Sequence, residues 1–118
     1  MNSEDPFSTR QSKVARLVQK ELGDYFQREA GFLAPGKLIT VTIVRVSPDL
    51  SFARVFLSIF PNADQEKVIQ KIIDATKTIR MELGRKIRNQ VRIIPELVFQ
   101  IDDSMDYFEK IDSLLKKK

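Results

Sequence analysis

The sequence predicts an α+β fold: a single domain with the element order α-β-β-α-α-β-α, in which a three-stranded sheet carries helices packed on one face. Three observations lead there. Apolar residues recur at helical spacing in the flanking and central stretches of the chain. Between them, two neighbouring runs alternate apolar and polar residues with period two, and a third such run follows later. At 118 residues the chain is long enough for one hydrophobic core and too short for two.

Residues 1–9 are polar, contain Pro6, and are expected to be a flexible arm. Ser8 and Gln11 have the spacing of a capping box. Val14, Leu17, Val18, Leu22, Tyr25 and Phe26 then mark a helix over about residues 10–29, with Gly23 as a possible bend. Its cations Arg10, Lys13, Arg16 and Lys20 sit in the first half, which is unfavourable for the helix dipole. That placement hints at a partner outside the helix; ordinary solvated side chains are the competing explanation.

Ala34-Pro35-Gly36 is a turn signal. Residues 37–47 read as a strand with Ile39, Val41 and Ile43 on one face, opposite Thr40, Thr42 and Val44. After the short connection Ser47-Pro48-Asp49-Leu50-Ser51, residues 52–60 form a second strand, antiparallel to the first. Ala53, Val55, Leu57 and Ile59 share one of its faces; Phe52, Phe56 and Phe60 share the other with Arg54 and Ser58. The three aromatics are expected to pack under the helices rather than to act as base-stacking platforms. Arg45 and Arg54 are expected to be solvated.

Asn62 and Gln65 open the next helical stretch, whose stripe Val68, Ile69, Ile72, Ile73 stays in phase with Ile79, Leu83, Ile87. Period alone leaves open whether residues 64–89 are one helix or two. Residues 91–101 read as the third strand, with Val91, Ile93, Leu97, Phe99 and Ile101 on one face and Pro95 requiring an edge or a bulge. Asp102-Asp103-Ser104 caps a last helix carrying Tyr107, Phe108, Ile111, Leu114 and Leu115, and residues 116–118 are a basic tail.

Charge singles out one of these elements. From Lys77 to Arg92 there are six basic residues (Lys77, Arg80, Arg85, Lys86, Arg88, Arg92) against Glu82, an excess of +5. The whole chain is only +4, so everything else sums to −1. On a helix, Lys77, Arg80, Arg85 and Arg88 oppose the stripe Ile79, Leu83, Ile87. A basic face concentrated in this way is an electrostatic footprint for a polyanion, with a solvated helix surface as the alternative. Gly84 lies among these cations at a cost of about 1 kcal/mol relative to Ala. Close approach of a phosphate–sugar backbone would explain it; the alternatives are helix packing or no structural reason at all.

The chemistry of catalysis is missing. The chain has no Cys and no His, which removes thiol chemistry, the usual general base and the commonest metal ligand. Asp102, Asp103 and Asp106 are explained by helix capping, and no Gly-rich phosphate loop or nucleophile–base pair accompanies them. No cofactor, metal site or catalytic residue is expected. No apolar run reaches the length of a membrane span and no signal-peptide core opens the chain, so the expectation is a cytoplasmic binding module.

Three segments carry a resemblance to a known family: RQSKVARLVQKEL (Arg10–Leu22), VTIVRVSPDLSFARVFLSIF (Val41–Phe60) and IRMELGRKIRNQVRIIPELVFQIDDSMDYFEKIDSLL (Ile79–Leu115). Together they look like bacterial ribosome-binding factor A. The V-S-P-D-L-S-x-A-x-V run and the IR…LG…R…PEL-x-F…D-x-S run are the specific parts. The resemblance implies a type II KH-like RNA-binding domain over residues 10–115. It further implies a monomeric bacterial assembly factor that binds the free small ribosomal subunit and its ribosomal RNA. Such a factor assists late maturation and 5′-end processing of that RNA, notably in the cold, without being a nuclease. The family's Ala-x-Gly bend between the second and third helices matches Ala75-Thr76-Lys77, where lysine replaces the glycine. The resemblance puts the RNA-facing surface on the basic helix, with Arg10 and Lys13 as a second group. The rivals are a protein–protein adaptor with a basic face and a stand-alone KH-like binder of other RNA.

Overall fold

A computed structural model of the chain describes residues 7–103. The order of elements is α1 (Thr9–Leu33), β1 (Leu38–Val46), β2 (Phe52–Phe60), α2 (Gln65–Asp74), α3 (Thr76–Ile87) and β3 (Glu96–Ile101). The expected last helix and basic tail lie outside the described residues, as does most of the N-terminal arm. The sheet order is β1-β2-β3, with β1 antiparallel and β3 parallel to β2. One core joins the three helices to a single face of the sheet.

The capping box forms as the spacing predicts. The Gln11 amide donates to Ser8 Oγ at 3.1 Å, and the Ser8 amide donates to Gln11 Oε1 at 2.9 Å. Gln11 is nevertheless buried, because its Nε2 donates to the Val46 carbonyl at the end of β1. It therefore starts α1 and ties that start to the sheet, satisfying a polar group that burial would otherwise penalise. Val18, Leu22 and Phe26 are fully buried along the helix, and Phe26 meets Phe99 of β3 edge to face at 6.0 Å. Gly23 does not interrupt α1.

β2 follows its alternation, with Ala53, Val55, Leu57 and Ile59 buried. β1 departs from it. Its pairing register slips between Val41 and Ile43, a β-bulge at Thr42. The extra residue reverses the alternation, so Ile39 and Val41 point inward, then Val44 and Val46, while Ile43 is exposed. Gln19 of α1 holds the bulge, its Nε2 within 3.3 Å of the carbonyls of Val41 and Thr42.

The aromatics of β2 also depart from expectation. Phe52 and Phe60 are 51% and 68% exposed and Phe56 is half-buried. They do not pack under the helices, because all three described helices occupy the opposite face of the sheet. Arg45 and Arg54 are both exposed as expected, Arg45 lying over the Phe7 ring at 5.4 Å.

Residues 65–87 form two helices. α2 ends at Ala75, whose φ of −93° and ψ of 6° break the helical run while its amide still bonds the carbonyls of Lys71 and Ile72. Thr76 Oγ1 donates to the Ile73 carbonyl at 2.6 Å and covers the freed backbone. The bend needs no left-handed residue, so a lysine at the family's glycine position is accommodated. Asn62 is not a side-chain cap: the residue before α2 is Asp64, in left-handed geometry (φ 60°) and without a capping side-chain bond.

The third strand is shorter than its apolar pattern. It begins at Glu96, after buried Pro95, which has no amide to donate to a ladder. Residues 88–95 are a connection, and Ile93 within it is 55% exposed. Pro95 thus sits before an edge strand, the position its chemistry allows.

Candidate nucleic-acid interface

α3 turns Ile79, Leu83 and Ile87 into the core, leaving each at most 2% exposed. That anchors the opposite face, from which Lys77, Arg85 and Arg88 reach solvent, while Lys86 is exposed on the flank of the helix beside Glu21, Tyr25 and Arg28 of α1. The last turn contains Arg85 and Lys86, which complement the negative end of the helix dipole. Arg85 Nη1 lies 3.2 Å from Glu82 Oε1 in an exposed pair one turn apart, worth well under 1 kcal/mol and easily exchanged for a phosphate.

Arg80 is placed differently. It is half-buried, its Nε donating to the Pro95 carbonyl at 3.0 Å and its Nη2 to the Ile94 carbonyl at 2.7 Å. The guanidinium fork clamps the connection that delivers the chain to β3. Its charge still lies beside Lys77, Thr76 and Gly84 in a shallow groove closed by Ile94 and Leu97. Gly84 faces that groove, and a Cβ there would meet Ile94 Cγ1 at 3.6 Å, an ordinary contact. Packing within the chain therefore does not demand a glycine.

Arg92 leaves the α3 group in space. It lines a second cleft with Arg10 and Lys13, formed where the start of α1, the β1–β2 turn and the α3–β3 connection meet. Val14 and Leu17 are its apolar floor, and Gln90 stands beside Arg92. Arg10, Lys13 and Arg92 are all exposed. Arg92 thus belongs to the α3 group by sequence position and to the Arg10–Lys13 group by location.

The turn in this cleft is the Ser47-Pro48-Asp49-Leu50-Ser51 run. Asp49 Oδ1 accepts from Ser47 Oγ (2.8 Å), Ser51 Oγ (2.7 Å) and the Ser51 amide (3.1 Å), and Leu50 adopts a φ of 64°. The Ser51 hydroxyl, then that of Ser47, holds the Asp49 carboxyl below its ordinary pKa of 3.8. The acid beside the cations of the cleft is therefore already engaged. Reading the turn only as a connection missed this role; the Ser-x-Asp-x-Ser spacing is the signal that could have revealed it.

Elsewhere Lys37 is not available as a free cation, because its Nζ donates to the Pro61 carbonyl at 2.8 Å and to that of Ala63. Among the described residues, no group of three or more acidic, His or Cys side chains could hold a metal ion, and no helix is long and apolar enough to cross a membrane. Asp102 accepts from Thr42 Oγ1 at 2.5 Å and donates its amide to the Leu57 carbonyl at 2.8 Å. Within the described residues its carboxylate thus serves the sheet.

A three-stranded mixed sheet backed by α1, α2 and α3, with a basic outer helix, defines a KH-like domain. Residues 10–115 match the family model described as ribosome-binding factor A. Ribosome-binding factor A of Cytophaga hutchinsonii is 46% identical over 110 residues, covering 93% of this chain and 83% of that protein. The Christiangramia forsetii protein of the same name is 41% identical over 114 residues, covering 94% and 86%. The crystal structure of ribosome-binding factor A from Thermus thermophilus shares the fold at a TM-score of 0.65 and 22% identity, covering 77% of this chain and 94% of that one. A homology model of the Thermus thermophilus ribosome binding factor A, fitted into a cryo-EM map of a 30S complex, aligns at a TM-score of 0.51 and 22% identity, covering 81% of this chain and 94% of that one. The chain belongs to the ribosome-binding factor A family.

Proposed function

We propose that this protein binds the free small ribosomal subunit through the exposed cations of α3 and the adjoining cleft, and assists late maturation and 5′-end processing of its ribosomal RNA. The observation that carries this reading is the confinement of the chain's positive excess to residues 77–92, with the helix beneath held rigid by Ile79, Leu83 and Ile87. The fit of a Thermus thermophilus protein of the same fold into a 30S complex supports the choice of particle. Lys77, Arg85, Lys86 and Arg88 contact phosphates directly; Arg10, Lys13 and Arg92 hold a second stretch of backbone. Arg80 shapes the groove beside Lys77 and Gly84 as well as adding charge.

Recognition is led by the shape of folded RNA, since phosphates position a protein without specifying sequence. The protein acts as a monomer in the cytoplasm, holding an immature RNA arrangement while other enzymes cut, and the need for it is greatest in the cold. It catalyses no bond breakage itself.

Charge reversal tests the assignment. The double variant Arg85→Glu, Arg88→Glu replaces two exposed side chains and is expected to fold normally while losing small-subunit binding. Every phosphate that the protein ceases to neutralise lowers the slope of log K against log salt by about 0.7–0.9. Unchanged binding by a folded double variant would remove this face from the interface. Displacement from the subunit by salt but not by competing RNA would favour a protein-directed adaptor instead.

A further inference from the structure

The cleft between the start of α1, the β1–β2 turn and the α3–β3 connection is more apolar than a phosphate contact requires. Its volume is about 630 Å³, inside the range of roughly 300–1,000 Å³ typical of small-ligand sites. Besides the cations Arg10, Lys13 and Arg92, it is lined by Leu17, Leu50 and Ile93. Two of these apolar side chains are costly where they stand. Leu50 takes a φ of 64°, a left-handed geometry that glycine or asparagine adopts with less strain. Ile93 is left 55% exposed to water, a cost that a ligand covering it removes.

The same cleft holds one fixed acceptor. The bonds from Ser47 Oγ, Ser51 Oγ and the Ser51 amide all end on Asp49 Oδ1 and none on Oδ2. They hold the carboxylate in one orientation while its second oxygen keeps its lone pairs for a ligand. A ligand suited to these walls has a flat apolar face, an N–H donor, and negative charge at its edge. An unpaired nucleotide has all three. An acidic side chain brings the charge alone and would meet the Asp49 carboxylate, a like charge.

We propose that the cleft takes one unstacked nucleotide of RNA. The base lies against Leu17, Leu50 and Ile93, its exocyclic amino group donates to Asp49 Oδ2, and its flanking phosphates meet Arg10, Lys13 and Arg92. The assignment rests on the reading of this cleft as an RNA contact and adds a base preference to it. Adenine, cytosine and guanine carry the amino group and uracil does not; the one ring N–H of uracil lies between two carbonyl oxygens that repel a carboxylate. The cleft therefore favours the amino bases over uridine, while phosphate contacts along α3 stay indifferent to sequence.

Amide NMR of the full chain, titrated with AMP, CMP, UMP and inorganic phosphate, tests the base pocket. AMP and CMP are expected to shift the amides of Leu50, Val91 and Arg92, with UMP binding roughly fivefold more weakly, the effect of one hydrogen bond. Ile93→Ser alters an exposed residue and should weaken all three nucleotides alike. Asp49→Asn puts an amide donor in place of Oδ2 and should abolish the preference against UMP, while unmoved amide shifts in α2 and β3 establish that both variants fold. Equal binding of UMP and CMP by the parent protein would overturn the proposal, as would shifts that inorganic phosphate or an acidic peptide reproduces. Nucleotides that leave the cleft unshifted, in a protein that still binds small subunits, would remove the base pocket and leave the proposed function standing. Loss of subunit binding as well would overturn both.

Discussion

Arg80→Lys separates the two duties assigned to one side chain. Lysine keeps the positive charge but cannot offer the fork that serves the Ile94 and Pro95 carbonyls together. Hydrogen bonds from a charged donor contribute about 1.5–3 kcal/mol each. Half-exposure of Arg80 allows water to replace part of this, so about 2 kcal/mol for the pair is the expected loss. In a domain of this size that corresponds to a fall of roughly 10 °C in melting temperature. Chemical denaturation of the two proteins reads the free energy directly. The salt slope of RNA binding should remain within about 0.3 of the parent value, because the charge is retained. A stability change below about 0.5 kcal/mol would refute the clamp, showing that solvent replaces both bonds without penalty.

Gly84→Ala should stabilise the fold by about 0.5–1 kcal/mol, since alanine is the better helix former and Ile94 leaves ordinary room for a Cβ; the same variant should bind small subunits more weakly, which paired denaturation and binding titrations would show. Ile79→Ala removes a fully buried side chain from α3 and should cost about 2–5 kcal/mol by urea unfolding. Asp49→Asn should lower the melting temperature at neutral pH. The Asp49 pKa is depressed on folding, so its stabilisation is present above the unfolded pKa and is lost as pH falls through the folded one. Melting curves of parent and variant should therefore converge only below the ordinary carboxylate pKa of 3.8.

Elements specified by neighbouring residues were legible in the sequence. The capping box needs only Ser8 and Gln11, and the buried face of β2 follows from alternation within nine residues. The core stripe of α3 and the basic face opposite it follow from one period. What escaped depends on partners distant along the chain. The bulge at Thr42 is held by Gln19, more than twenty residues earlier, so alternation carried past it assigned Ile43 and Val44 to the wrong faces. β2 is apolar on both faces, and period two cannot tell which face the helices take; that choice exposed Phe52 and Phe60. The apolar run before Pro95 resembled strand, but ladder pairing, with the Glu96 amide donating to the Ser51 carbonyl, begins only after the proline.

The site was legible to the same degree. Charge counting found the cations of α3 without geometry, because exposed cations opposite an apolar stripe need no distant partner. It did not show that Arg80 is shared with the backbone of the β3 connection, or that Arg92 joins Arg10 and Lys13. Those relations depend on how residues 88–95 fold back beside the β1–β2 turn.

The measurement that bears most directly on the central claim is co-sedimentation of the purified protein with free small subunits, free large subunits and whole ribosomes at two salt concentrations. Binding to the free small subunit alone, weakened by the higher salt and absent in the Arg85→Glu, Arg88→Glu variant, is the predicted result. Equal binding to all three particles would contradict it, leaving only a basic helix with a general affinity for phosphate.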